Sequence, residues 1–185
     1  MTKKVAFLFP GQGSQAVGMG KDLYETSESA KQVFDTADEV LGKSITTMCF
    51  EGPEEALKQT VNTQPSIVTM SIAALEALKD KCEVIPSYVD GHSLGEYCAM
   101  YASGVMSLEN TLKAIQKRAD LMGSAKGGAM SAVLNASEEA LKEALKDASE
   151  VGYVDVANYN SPAQVVITGD EAAVAKAGEL LLAKG

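Results

Sequence analysis

Residues 91–95 read Gly-His-Ser-Leu-Gly, and this G-x-S-x-G run constrains the fold more than any other feature of the chain. A serine with glycines two positions to either side fits a sharp turn from a strand into a helix. In so tight a turn, any side chain at the flanking positions would clash. The residues before it, Glu83 to Asp90, read as a strand, and those after it are helical in pattern. The turn lifts the Ser93 hydroxyl clear of the backbone at a helix N-terminus, where free N–H groups favour a developing oxyanion. Ser93 is therefore the candidate nucleophile. A serine hydroxyl needs a base to take its proton. The chain has one histidine, His92. Neighbours on a tight elbow point apart, so His92 is expected to pack or hydrogen-bond behind the nucleophile rather than to activate it.

Val5 to Phe9 reads as a short buried strand closed by Pro10-Gly11. The loop Gly11-Gln12-Gly13-Ser14-Gln15 follows, and a donor from Gln12 is placed to complete an oxyanion hole begun by the Leu94 N–H. No Gly-Lys-Ser/Thr follows this loop, and Val17 stands where a dinucleotide-binding G-x-G-x-x-G needs its third glycine, which argues against a nucleotide loop. Lys21 to Gly42 favours helix, with Gly42 as C-cap, and Pro53-Glu54-Glu55 opens a further short helix. After Thr63-Gln64-Pro65, Ile67, Met70, Ser71, Ala74, Leu75 and Leu78 form one stripe at helical spacing. A helix capped by Ser107 runs to about Met122.

Fifteen of the sixteen basic residues are lysine, and Arg118 is the only arginine. On a wheel of about 100° per residue it sits on the shoulder of the apolar stripe Leu108, Leu112, Ile115, Ala119 and Met122. A guanidinium at a buried edge needs an anion, and its planar fork matches a carboxylate two bonds at a time. That anion is either a carboxylate elsewhere in the chain or a ligand. The net charge of −9 argues against nucleic acid as a partner. Three cysteines without C-x-x-C spacing argue against a zinc site or a disulfide scaffold, and read as buried thiols. No apolar run reaches the length of a membrane span, and the opening Met1 to Pro10 lacks a signal-peptide cleavage site. A cytoplasmic protein is expected.

The pattern changes near Gly127-Gly128. From there the reading is a strand (129–134), a helix (137–148), strands (152–157 and 164–168) and a helix (170–183) stopped at Lys184-Gly185. This order, β-α-β-β-α, is five of the six elements of a ferredoxin-like unit. The last strand of such a unit pairs beside its first, so an open edge is expected along 129–134. The expected fold class is α/β, with domains at 1–126 and 127–185.

Phe9-Pro10-Gly11-Gln12-Gly13-Ser14-Gln15, Gly91-His92-Ser93-Leu94-Gly95-Glu96-Tyr97, Lys117-Arg118-Ala119 and Ala157-Asn158-Tyr159-Asn160-Ser161-Pro162 stand in family order. Together they resemble the malonyl-CoA:acyl-carrier-protein transacylases of bacterial fatty-acid synthesis. The resemblance implies an α/β-hydrolase-like core, here partial, at 1–126, carrying a ferredoxin-like insertion at 127–185 that lacks its last strand. It implies Ser93 as nucleophile, Gln12 and Leu94 as oxyanion donors, Arg118 as holder of the malonyl carboxylate, and Asn158 and Asn160 as lining residues. It implies no permanently bound cofactor, with malonyl-CoA and the phosphopantetheine of acyl carrier protein as substrates. The family's catalytic histidine follows the insertion, so residues 1–185 alone are expected to be inactive. A trans-acting polyketide acyltransferase shares these motifs, and a serine esterase or thioesterase would use the same elbow on water.

Overall fold

The computed structural model describes residues 4–183 and falls into two compact units, the first running to Ser124 and the second starting at Ala125. The division lies two residues before Gly127, and each unit has its own apolar core. In chain order the elements are β1 (Ala6–Phe9), α1 (Lys21–Thr26), α2 (Glu28–Leu41), α3 (Ile45–Glu51), α4 (Glu54–Leu57), α5 (Thr60–Lys79), β2 (Tyr88–Gly91), α6 (Gly95–Ala102), α7 (Leu108–Ser124), β3 (Ala129–Leu134), α8 (Glu138–Ala148), β4 (Val154–Ser161), β5 (Gln164–Gly169) and α9 (Glu171–Leu182). The class is α/β. The expected stop at Lys184-Gly185 lies outside the described residues.

In the first unit β1 and β2 pair in parallel, Ala6 opposite Tyr88 through Phe9 opposite Gly91. A parallel pair needs a crossover, and α1 to α5 supply it. Two expectations are corrected here. β1 is not buried: only Phe9 is, and Leu8 is 75% exposed. The strand expected over Glu83–Asp90 begins only at Tyr88, because β1 offers four residues to pair with and Pro86 has no N–H to give.

The helical stretch over 21–42 is two helices. Ser27 leaves helical geometry (φ −132°) and caps α2, its Oγ accepting from the Ala30 N–H at 3.1 Å. Gly42 ends α2 with φ 62°, a left-handed conformation natural to glycine. α3, capped by Ser44, had no counterpart in the sequence reading.

α5 starts at Thr60, five residues before Pro65, although proline interrupts a helix. The carbonyl orphaned by the missing N–H of Pro65 is that of Val61. Lys43 Nζ donates to it at 3.0 Å and Gln116 Nε2 at 3.4 Å. Two side chains from other elements thus replace the bond the proline cannot make. α5 packs against α2, α3, α6 and α7 and is buried well beyond one stripe. Of the expected stripe, Ile67, Ser71 and Leu75 are buried, but Leu78 is 41% exposed, while Val68 and Ile72 are fully buried. On α7, Leu112, Ile115 and Ala119 are buried as read, while Met122 is 48% exposed.

In the second unit the antiparallel sheet has order β3-β5-β4, with α8 and α9 packed on its core residues. β4 runs to Ser161, longer than expected, with register shifts between Val156 and Asn158 and between Tyr159 and Ser161. Among the described residues no helix is long and apolar enough to cross a membrane.

Cys49 and Cys98 are buried, but Cys82 is exposed, against the expectation of three buried thiols. Burial pushes the Cys49 and Cys98 thiols up to about 12. Unfolded thiols ionise near 9, so above that pH the unfolded chain holds fewer protons than the folded one. Stability from these thiols is therefore complete below about pH 9 and is lost as pH rises toward 12. A thiol-labelling reagent at neutral pH is expected to modify Cys82 rapidly and the other two only as fast as the protein opens. Urea midpoints between pH 8 and 11 are expected to fall with pH, and less steeply once Cys98 is replaced by alanine.

Candidate active site

The site is built at the C-terminal ends of the two parallel strands. Phe9 is paired with Gly91, and the His92 N–H donates to the Phe9 carbonyl at 3.0 Å, stitching the two exits together. The loop carrying Gln12 and the turn carrying Ser93 are neighbours for that reason.

Ser93 has φ 57°, one of two non-glycine residues with positive φ among the described residues. A left-handed residue costs about 1–2 kcal/mol. The following residue offsets it: Leu94 is fully buried in the first unit's core, worth about 1.5–3 kcal/mol. Packing of Leu94 thus holds Ser93 in a conformation it would not adopt alone, half-exposed at the start of α6. The glycines are required by space. A Cβ on Gly91 would lie 2.0 Å from the Gly95 carbonyl carbon, and one on Gly95 would lie 2.5 Å from the Phe9 oxygen. Gly11 faces the same constraint: a Cβ there would lie 2.2 Å from His92 Nδ1, so the imidazole lies against the Gly11 backbone.

Arg118 reaches Ser93. Its Nη2 donates to Ser93 Oγ at 2.9 Å, and its Nη1 donates to Gln64 Oε1 at 2.5 Å. Of the two partners left open by the sequence, a structural salt bridge is not found among the described residues; Gln64 and Ser93, to which Arg118 donates, are neutral. Arg118 is half-buried, and its guanidinium has further N–H donors and a positive charge with which to take an anion. The same charge favours negative charge developing on the Ser93 oxygen.

The Gln12 side chain donates to Thr60 Oγ1 at 3.4 Å, at the start of α5. Its loop is held by Ser14 Oγ donating to the Gly11 carbonyl at 2.9 Å and the Gly13 N–H donating to Gln15 Oε1 at 2.8 Å. Ser93, Leu94, Gln12 and Arg118 all belong to the first unit. Asn158 and Asn160 belong to the second, on β4 beside its register shifts, where Asn160 Nδ2 donates to Gln164 Oε1 at 3.0 Å. Gln64 is the residue the sequence reading missed. Asn62, Thr63 and Ser66 beside it are polar as well, so no local pattern singles it out.

Chemically, the arrangement presents a strained serine, a cation on its oxygen and a helix N-terminus behind it, as attack on an activated acyl carbon requires. Comparison with known proteins agrees. A family model described as acyl transferase domain matches residues 6–185. The chain is 45% identical over 186 residues to a malonyl CoA-acyl carrier protein transacylase of Bacillus subtilis strain 168, covering 98% of this chain and 58% of that protein. A solved malonyl CoA-acyl carrier protein transacylase from Clostridium perfringens superposes with a TM-score of 0.91 at 42% identity, over 99% of this chain and 58% of the other. A type II polyketide malonyl-transacylase solved with its acyl carrier protein superposes with a TM-score of 0.92 at 36% identity, over 99% of this chain and 60% of that one. The chain thus spans about three-fifths of the length of these relatives.

Replacing Gly95 with alanine is expected to lower stability by about 3 kcal/mol or more, since backbone oxygens cannot yield as side chains do. Gly178, on α9 with nothing near its would-be Cβ, supplies the contrast. There alanine is expected to raise stability by up to about 1 kcal/mol. Urea denaturation of both variants checks the pair.

Proposed function

The chain belongs to the acyl transferase domain family, and we propose that it forms the nucleophile-bearing part of a malonyl-CoA:acyl-carrier-protein transacylase serving fatty-acid synthesis. The observation that carries this reading is the hydrogen bond from the chain's only arginine to the Ser93 oxygen, 2.9 Å. A hydrolase acting on neutral esters has no use for a guanidinium at that point; an acyl group ending in a carboxylate does.

In the proposed reaction Ser93 Oγ attacks the thioester carbonyl of malonyl-CoA and gives up its proton to a base. The C–S bond breaks, CoA leaves as the thiol, and a malonyl ester remains on Ser93. The phosphopantetheine thiol of acyl carrier protein then attacks that ester, and Ser93 recovers its proton. The Gln12 and Leu94 N–H groups bind the oxyanion of each tetrahedral intermediate, and Arg118 binds the malonyl carboxylate. The base is not among these residues in this reading, since the sole histidine is part of the elbow and lies against Gly11. Residues 1–185 alone then have no transacylase turnover, in keeping with their spanning 58% of the Bacillus relative.

The fold is read in the same spirit. The parallel β1-β2 pair with its elbow is part of an α/β-hydrolase-like core. The β3-β5-β4 order supports a ferredoxin-like unit with the outer edge of β3 left for one more strand.

The test joins this chain to the part of the Bacillus subtilis relative that it does not span and follows labelled malonyl transfer from CoA to carrier protein. Transfer is expected from the joined protein and not from residues 1–185. Ser93→Ala is expected to reduce it by about three orders of magnitude or more. Undiminished transfer by that variant would refute the assignment, and transfer to water in place of the carrier thiol would favour a thioesterase.

A further inference from the structure

We infer that Gln64 is a positioning residue that makes Arg118 selective for acyl groups bearing a carboxylate, by fixing one guanidinium nitrogen while the other is shared between the nucleophile and the incoming anion. The inference rests on the transacylase reading of Ser93 and Arg118 and adds to it a residue with no role in the reaction steps.

Gln64 is fully buried, and its carbonyl oxygen accepts from Arg118 Nη1 at 2.5 Å. The amide orientation is forced by chemistry: arginine has donors only, so the oxygen must face it. The other end of the amide, Nε2, donates to Met122 Sδ at 3.3 Å, one helical turn beyond Arg118 on α7. The backbone under Gln64 is equally restrained. Thr63 Oγ1 donates to the carbonyls of Leu57, at 2.5 Å, and Gln59, at 3.0 Å, and Pro65 follows immediately.

Two consequences follow from a neutral, buried acceptor at this place. Arginine has several rotatable bonds and stands half-buried, so without an anchor its head group would spread over many positions. A carboxylate anchor would hold it equally well but would neutralise it. An amide holds it and leaves the charge for the ligand. When the acyl group carries no carboxylate, Arg118 keeps its bond to Ser93 Oγ and gains nothing from the ligand. When it does, the anchored guanidinium meets it without further ordering, which is where preorganisation yields affinity.

The experiment measures the affinity of the chain for malonyl-CoA and for acetyl-CoA by calorimetric titration and follows their ratio. The wild-type chain is expected to prefer malonyl-CoA, and Arg118→Ala to abolish the preference. Gln64→Met, close in volume but offering only a weak thioether acceptor in place of the amide oxygen, is expected to cut the ratio roughly tenfold, as loss of a charge-assisted hydrogen bond does. Gln64→Glu, which keeps shape and acceptor but compensates the charge, is expected to cut it as well. Adding Gln64→Met to Arg118→Ala is expected to change the ratio no further, since the two act through one interaction. An unchanged ratio in Gln64→Met, or equal weakening of both ligands, would overturn the inference while leaving the role of Arg118 intact. A wild-type chain with no malonyl preference would overturn the reading of Arg118, and this inference with it.

Discussion

Everything at the site depends on how closely the end of β1 approaches the start of α6. The oxygens of Phe9 and Pro10 lie where a Cβ on Gly95 would be, at 2.5 and 2.8 Å, and Gly91 and Gly95 leave equally little room for each other. Contact this tight between backbones allows a chain leaving β2 to turn into a helix within three residues. Ser93 carries the strain of that turn, and the buried Leu94 side chain pins it. Ser93 is half-exposed because the residue after it is fully buried.

The second support is the α5-α7 contact. α5 is an unusual central helix, carrying a proline, a glutamine and several hydroxyls through the core. The proline is tolerated because Lys43 and Gln116 satisfy the carbonyl it orphans, and burial lowers the Lys43 pKa from its ordinary value. The glutamine is tolerated because Arg118 and Met122 occupy both ends of its amide. The proline and the glutamine of this helix are thus matched by partners on other elements, while the Ser66 and Thr69 hydroxyls are buried without a hydrogen-bond partner among the described residues. The same matching places a cation on the Ser93 oxygen.

Much of this was legible in the sequence where a local rule applied. The elbow glycines, the caps at Ser107 and Gly42, and the element order of the second unit follow from backbone chemistry within a few residues. The misses share one cause. The start of α5 before Pro65, the short β2 and the exposure of Leu8 and Leu78 depend on partners far along the chain, and local pattern cannot see them. Gln64 belongs with them: next to a proline it reads as a helix start, and only the partner 54 residues away gives it a role.

The sequence by itself determined the turn at Ser93 and the singular arginine, because glycine geometry and the guanidinium fork are properties of the residues themselves. Tertiary structure alone decided that Arg118 bonds to Ser93 rather than to a distant carboxylate, and that a buried amide holds it there. Those outcomes are fixed by the packing of α7 on α5 and by the pairing of β1 with β2, which bring together groups that no spacing along the chain connects.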